Sequence, residues 1–242
     1  MVKQLLGRGA LSGAVAGLVA FVFARLFAEP LIQQAIDFED GHSHDHEEEL
    51  VSRSVQSLVG LGTGMILFGV AMGALVAVGY VVAIGRTGRV RPFPLALLVP
   101  AFYFVGVFAV PFLKYPANPP AIGDPDTIRD RGAAFLITVA VSCLALFLAV
   151  YVGQQLRDRL GLYRTVLATG LGYAVVMGLL FWALPSFHET PAGFPADVLA
   201  KFRVDAILSQ VLLFGTIALV FAPLADRVLR LAAVEEQAPA LV

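Results

Sequence analysis

The sequence predicts an all-α integral membrane protein, and two observations predict that class. Of the 242 residues, 58% are hydrophobic and only 14% are charged, with a mean hydropathy of +0.81, whereas soluble domains carry about 25% charged residues. The hydrophobic residues also fall into runs of about 20, the length that an α-helix needs to cross a bilayer. We therefore expect one transmembrane domain, 1–242, and no separate soluble domain.

Six apolar runs have this length, so the chain is expected to form a polytopic bundle of about six transmembrane helices. Short basic turns separate the runs in pairs, which arranges the helices as three hairpins, 1–84, 94–152 and 165–230. The predicted spans are 9–28, 58–84, 94–113, 132–152, 165–184 and 204–222.

Prolines are expected to end the first helix of each hairpin. Proline lacks a backbone N–H and clashes with the preceding helical turn. Pro30, Pro111 followed by Pro116, and Pro185 stand at these three positions. Glycines four residues apart predict close helix packing within the membrane; the pairs are Gly13 and Gly17, Gly60 and Gly64, and Gly69 and Gly73.

The distribution of Lys and Arg predicts the orientation. Ten basic residues and four acidic residues fall in the tails and short turns on one face, which the positive-inside rule makes cytoplasmic. The other face carries seven basic and fourteen acidic residues, a net formal charge of −7. We therefore expect an inner (plasma) membrane protein with both termini in the cytoplasm.

Polar residues concentrate in three predicted external loops. The loop 29–57 is rich in His and acidic residues, and the loops 114–131 and 185–203 are rich in proline. Because proline fixes φ, the two proline-rich loops are expected to be stiff segments that lie against helix ends. Lys114 with residues 116–120 is the best candidate for an ordered lid.

The stretch DFEDGHSHDHEEEL, 37–50, carries three histidines and seven carboxylates. An extended loop would place His42, His44 and His46 on one side, whereas a helix would bring only His42 and His46 together. With Asp45 and its neighbours they favour a mixed N/O site for a divalent metal, and ligand type does not choose among cobalt, nickel, zinc and copper. A solvated loop and a pH switch are the alternatives.

A second metal position is predicted on the same face. Glu29, His188 and Glu189 would edge a vestibule that receives the ion, while Lys114 would either snorkel or pair with an acid. Passage through the membrane would use weak ligands that release the ion; the candidates are backbone carbonyls and the side chains of Thr63, Thr138, Ser142 and Gln210.

The sequence favours a non-enzymatic role. It has no His-Glu-x-x-His, no phosphate-binding Gly-x-x-x-x-Gly-Lys and no Gly-x-Ser-x-Gly motif, and Cys143, the single cysteine, excludes a thiolate metal cage. We expect a metal as substrate, no organic cofactor and no nucleic-acid partner. A metal-sensing or scaffolding subunit that does not itself transport is the alternative, and an integral-membrane enzyme ranks third.

Three stretches resemble one family. FAEPLIQQAIDFED, PFLKYPANPPAIGDPDTIRDR and GFPADVLAKFR are similar to CbtA, the probable cobalt transporter subunit family, and the resemblance covers nearly the whole chain. It implies a polytopic subunit of a cobalt uptake system, a small single-span CbtB partner and a link to cobalamin metabolism. It also directs attention to four residues within these stretches: Lys114, Tyr115, Asn118 and Arg203.

Overall fold

The computed structural model describes residues 1–41, 52–87, 90–120, 122–187 and 189–237, and within these ranges it contains helices and no strand. The described residues form five long helices, each with a stretch long and apolar enough to cross a membrane. They are α1 Val2–Asp40, α2 Arg53–Ala83, α3 Pro92–Lys114, α4 Ile128–Ala183 and α5 Ala196–Gln237. The prediction of an all-α membrane protein is confirmed.

Helix α4 is two spans joined at Gly161. Its 56 residues would measure about 84 Å if straight, but Gly161 has φ +75° and ψ 166°, a conformation that glycine adopts at little steric cost. The two halves pack antiparallel, since the Ser142 and Tyr173 hydroxyls are 2.7 Å apart. The break places segments 128–160 and 162–183 where the fourth and fifth spans were predicted.

Helices α1 and α2 form the first predicted hairpin through glycines. A methyl group on Gly9, Gly13 or Gly17 of α1 would overlap the backbone of α2, so the two backbones are in direct contact. The contacts run antiparallel, with Gly9 against Gly73, Gly13 against Gly69, and Gly17 against Met65. Gly60 and Gly64 were predicted to pack in the same way, and this was wrong. Gly64 has nothing within 4 Å of its would-be Cβ and Gly60 meets only Val55 of its own helix.

Two of the predicted proline stops are also wrong. The helix continues through Pro30 and through Pro111, and in both cases a π-helical segment, Ala24–Ala28 or Phe104–Ala109, comes just before the proline. Wider π turns shift the carbonyl that a proline ring would otherwise meet. As a result, residues 29–40 of the predicted loop 29–57 are helical. Helices do end before Pro116 and Pro185, as expected.

The two proline-rich loops are shorter than predicted. Helix α3 ends at Lys114, a 3₁₀ turn occupies Pro125–Thr127, and α4 begins at Ile128. Helix α5 begins at Ala196, so the second loop covers 184–195 rather than 185–203. The Asp124 carboxylate accepts a hydrogen bond from the backbone N–H of Asp126 at 2.9 Å, which favours the start of the helical turn at Pro125.

The chain divides into two compact units, Met1–Ala101 with Val204–Val242, and Phe102–Arg203. In the first unit, the fully buried Tyr80 stacks edge-on against Phe221, with ring centroids 5.4 Å apart, and donates to the Pro92 carbonyl at 3.3 Å. In the second unit, Gly106 of α3 lies against Cys143 and Leu146 of α4. The third predicted hairpin, 165–230, is divided between the units.

Large apolar side chains remain exposed along the helices, as expected for surfaces that face lipid. Leu136, Leu171, Trp182 and Leu219 are between 66% and 87% exposed. Five apolar helices and this exposed apolar surface make the chain a multi-pass membrane protein.

Candidate functional site

The histidines of the predicted metal site, His42, His44, His46 and His188, lie outside the described residues, as does Asp45. The structure describes the other predicted site residues, which are Glu29, Lys114, Tyr115, Asn118, Glu189 and Arg203. Among the residues described, no three His, Cys, Asp or Glu side chains are grouped so that they could hold a metal ion.

Glu29 is buried in α1 and forms an ion pair with Arg53, the first residue of α2. Arg53 Nε also donates to Gln33 Oε1 at 3.2 Å, and Gln33 Nε2 donates to Asp37 Oδ1 at 2.8 Å. Residues 29, 33 and 37 are four apart and therefore share one face of the helix. A single guanidinium thus ties this face of α1 to the start of α2 and neutralises the Glu29 carboxylate.

A cavity of about 280 Å³ opens beside this ion pair in the first unit. Its walls come from two turns of α1 and the first turns of α2. The lining residues are Arg25, Glu29, Pro30, Gln33, Arg53, Ser54 and Ser57.

The Glu189 side chain is buried in the second unit, where its carboxylate also meets an arginine. One oxygen accepts from the Arg131 guanidinium and the other from the Thr127 hydroxyl. Gly123 approaches this pair closely: a methyl group there would lie 2.6 Å from Arg131 Nη1, and φ at this residue is +153°. The glycine therefore leaves space for the ion pair, which joins the two proline-rich loops.

The Lys114 side chain, which was expected either to snorkel or to pair with an acid, reaches the end of α4, and within the described ranges no ion pair is recorded for it. Its ammonium group donates to the Phe181 carbonyl and to the Ser186 hydroxyl, both at 2.8 Å. The last carbonyls of a helix lack intrahelical partners and carry partial negative charge. Lys114 therefore caps the C-terminus of α4.

Tyr115, Asn118 and Arg203 fix the segment that follows Lys114. The Tyr115 hydroxyl donates to the Pro185 carbonyl at 2.8 Å, and burial raises the pKa of this tyrosine, so the donor stays protonated. Arg203 donates to the Ala117 carbonyl at 3.2 Å and to Asn118 Oδ1 at 3.0 Å. Together with Lys114, these residues attach the first proline-rich loop to the end of α4 and to the start of α5.

Hydroxyl groups line the interior of the α4 hairpin. Thr138 and Ser142 are fully buried, one turn apart. Thr138 donates to the Ala134 carbonyl at 2.8 Å, and Ser142 is hydrogen bonded to Tyr173. Of the other predicted weak ligands, Thr63 is exposed, and Gln210 belongs to the first unit.

Sequence reasoning missed Arg53 and Arg131. They lie 24 and 58 residues from the carboxylates that they neutralise, and no spacing rule links residues so far apart. The sequence did contain a weaker signal for these two arginines. Each stands near the start of an apolar helix, just after a polar loop, and an acid buried at such a boundary needs a cation as its partner.

A family model described as "Probable cobalt transporter subunit (CbtA)" matches residues 2–226. No curated protein and no solved structure matches the chain. The matched range contains all of helices α1 to α4 and most of α5, and it includes the residues that attach the proline-rich loops. The chain therefore belongs to the CbtA family of probable cobalt transporter subunits.

Proposed function

We propose that this chain is the large membrane subunit of a divalent-metal uptake system, with cobalt as its substrate and a small single-span protein of the CbtB type as its partner. The observation that carries the proposal is the family match over nearly the whole chain. The proposal includes the inner membrane as location, cytoplasmic termini and a link to cobalamin metabolism. The metal is cargo, and no organic cofactor takes part.

In this proposal the segment 37–49 collects the ion outside the membrane. The external net charge of −7 would raise the local cation concentration within a Debye length of about 8 Å. His42, His44 and His46, together with Asp45, would bind the ion weakly and in several alternative ways. Weak binding suits capture, because the ion must then leave.

The next positions would be Glu29 and the pair His188 and Glu189. Support for this step is chemical, since a divalent cation can replace a guanidinium beside a carboxylate. Arg53 and Arg131 would then act as resident cations that withdraw when the metal arrives. Within the membrane, the buried hydroxyls of the α4 hairpin would offer ligands weak enough to release the ion.

A second candidate function is a sensing or scaffolding subunit that binds metal but leaves transport to another protein. One observation favours it. Both described carboxylates that were predicted to receive the ion are neutralised by arginine, and the described part of the chain groups no set of metal ligands within the helices.

Uptake of radioactive cobalt, nickel and zinc by vesicles distinguishes the two functions. Vesicles that hold the chain and its small partner should accumulate cobalt, and vesicles that hold either protein alone measure what each contributes. If the chain binds cobalt but accumulation is the same with and without it, the sensing or scaffolding function is correct.

The collector role has its own test. Changing His42, His44 and His46 together to alanine should raise the cobalt concentration needed for half-maximal uptake and leave the maximal rate nearly unchanged. Lowering the pH from about 7.5 to about 5.5 should have the same effect on the unmodified chain, because histidines with a pKa near 6.5 become protonated and repel the ion. The triple variant is measured at each pH as the control. Loss of uptake at saturating metal, with normal protein in the membrane, would place the histidines in the transport site itself.

A further inference from the structure

We propose that the cavity between α1 and α2 binds the phosphate group of an anionic phospholipid. The site consists of Arg25, Arg53, Ser54 and Ser57, and all four residues line the cavity. The proposal does not depend on metal transport, because its ligand is an anion whereas the transported metal is a cation.

The charge balance of the cavity favours an anion. Two guanidinium groups and one carboxylate line it, and the carboxylate of Glu29 is already neutralised by Arg53. Within the described ranges the structure records no hydrogen bond or ion pair for Arg25, whose side chain is exposed. One positive charge therefore remains on the lining, and it attracts a phosphate. Guanidinium forks suit phosphate oxygens because they donate two parallel hydrogen bonds.

The depth of Arg25 along α1 matches the position of lipid headgroups. Lys3 and Arg25 are 22 residues apart, about 33 Å along a helix, and the hydrocarbon core of a bilayer is about 30 Å thick. No charged residue lies between Arg8 and Arg25. Arg8 and Arg25 are 17 residues apart, about 26 Å along a helix. With one membrane boundary between Lys3 and Arg8, Arg25 lies close to the other boundary, within reach of the phosphates.

Exposed apolar residues flank the cavity on both helices. Leu26 and Phe27 of α1 are 63% and 53% exposed, and Leu58 and Val59 of α2 are 57% and 58% exposed. These side chains can contact acyl chains while the arginines contact the headgroup. That combination favours a phospholipid over free phosphate, because free phosphate would gain nothing from the apolar rim.

The size of the cavity is also consistent with a headgroup. Its volume of about 280 Å³ equals that of about nine water molecules in the liquid. This is enough for a phosphate with a short polyol such as glycerol.

Native mass spectrometry of the full chain in detergent tests the proposal. The unmodified protein should retain phosphatidylglycerol in preference to phosphatidylcholine. Arg25→Gln should lower phosphatidylglycerol occupancy by about tenfold, since it removes charge-assisted hydrogen bonds. Arg25→Lys, which keeps the charge but loses the fork, should have an intermediate effect. Arg86→Gln is the matched control, because it removes one exposed arginine at the other end of α2 and should leave occupancy unchanged.

Ser54→Ala provides a second variant that leaves both arginines in place, and it should lower occupancy about twofold to fivefold, as expected for loss of one hydroxyl. Full phosphatidylglycerol occupancy in both Arg25→Lys and Ser54→Ala would overturn the site, whether or not Arg25→Gln folds. Equal losses in Arg25→Gln and Arg86→Gln would overturn it as well. A competition experiment with millimolar inorganic phosphate completes the test. If phosphate displaces the lipid completely, the ligand is free phosphate and the lipid assignment is wrong.

Discussion

Charged and polar side chains at the helix ends hold the connecting segments in place. Lys114 caps α4, Arg203 binds the backbone and side chain of the first proline-rich loop, and Arg131 neutralises Glu189. Most of the groups that these residues bind are part-buried, and a fully buried group without a partner would cost about 1–3 kcal/mol. The residues that the family resemblance singled out therefore have a common role, which is to position the loops.

Replacing Tyr115 by phenylalanine should lower the free energy of unfolding by about 1 kcal/mol, because the hydrogen bond to the Pro185 carbonyl is lost. Burial raises the pKa of Tyr115 above its usual value near 10. The stabilisation that the protonated Tyr115 hydroxyl gives to the folded state is therefore fully present below about pH 10, and it is lost as the pH rises through the raised pKa.

Thermal unfolding in detergent between about pH 6 and about pH 9 should show a constant difference between the unmodified chain and Tyr115→Phe. Tyr163→Phe is the matched control, because Tyr163 is 77% exposed and its hydroxyl should contribute little. A difference that changes steadily across this pH range would contradict the assignment of the bond.

The site could be predicted only in part, because the residues that contact each other there lie far apart in the sequence. The Lys-Tyr-Pro-Ala-Asn-Pro-Pro string pointed to Lys114, Tyr115 and Asn118, and the structure places all three at the junction of the proline-rich loops. Their partners were not predictable, because Lys114 and Phe181 are 67 residues apart and meet only through the antiparallel return of α4. Acid pairing was expected for Lys114 because the sequence shows charges but not free carbonyls.

At the scale of whole helices, local irregularities explain where the predictions of helix ends failed. A π-helical segment precedes both Pro30 and Pro111, and each allows the helix to continue through its proline. Hydropathy identified every apolar run, including the two that α4 joins, because run length depends on composition alone. The helix ends depend on backbone geometry that composition does not encode.

Glycine contacts between α1 and α2 predict a sharp difference between two substitutions in the same helix. Gly69→Ala should lower the free energy of unfolding by about 1–3 kcal/mol, because its methyl group would overlap the Gly13 carbonyl. Gly64→Ala meets nothing within 4 Å, so it should be neutral or stabilising by up to about 1 kcal/mol through helix propensity. Thermal unfolding of the two variants in one detergent is the measurement. Equal destabilisation by both would show that the hairpin does not pack through these glycines.

The two adjacent prolines of the first loop offer a similar comparison. Pro119 is fully buried, whereas Pro120 is exposed. Either change to alanine gives the unfolded chain more freedom, at a cost of about 0.4–1 kcal/mol, but only Pro119→Ala also removes buried contacts. If the segment is a lid, Pro119→Ala should lower metal uptake more than it lowers protein level, and Pro120→Ala should have a smaller effect. Parallel losses of uptake and protein in Pro119→Ala would make the segment a folding element only.

For the molecule as a whole, orientation is the property on which the transport proposal depends most. The arginine distribution predicts cytoplasmic termini and an external His42 to Glu49 segment. The described helices bear only on whether the termini share a face: with α4 counted as two spans the number of spans is even, which returns the chain to its starting face. That this face is the cytoplasmic one stays a prediction. That count rests on Gly161, which hydropathy could not identify as the turn.

Cysteine labelling checks the orientation directly. Ser43→Cys in a Cys143→Ser background gives a chain whose one thiol lies in the His-rich segment. An impermeant maleimide should label it in intact cells, and Cys143→Ser alone is the control for unspecific labelling. Labelling that occurs only after the cells are lysed would reverse the orientation and remove the basis for external capture.

The tight turn at Gly161 has a consequence for how the chain enters the membrane during synthesis. Arg157, Arg159 and Arg164 lie within eight residues around the turn, and a connection this short gives the translocation machinery no loop to move separately. The two halves of α4 should therefore insert together as one helical hairpin while the arginines stay behind. The hydrogen bond between Ser142 and Tyr173 fits that route, because two hydroxyls that pair before insertion enter the lipid without an unmatched polar group.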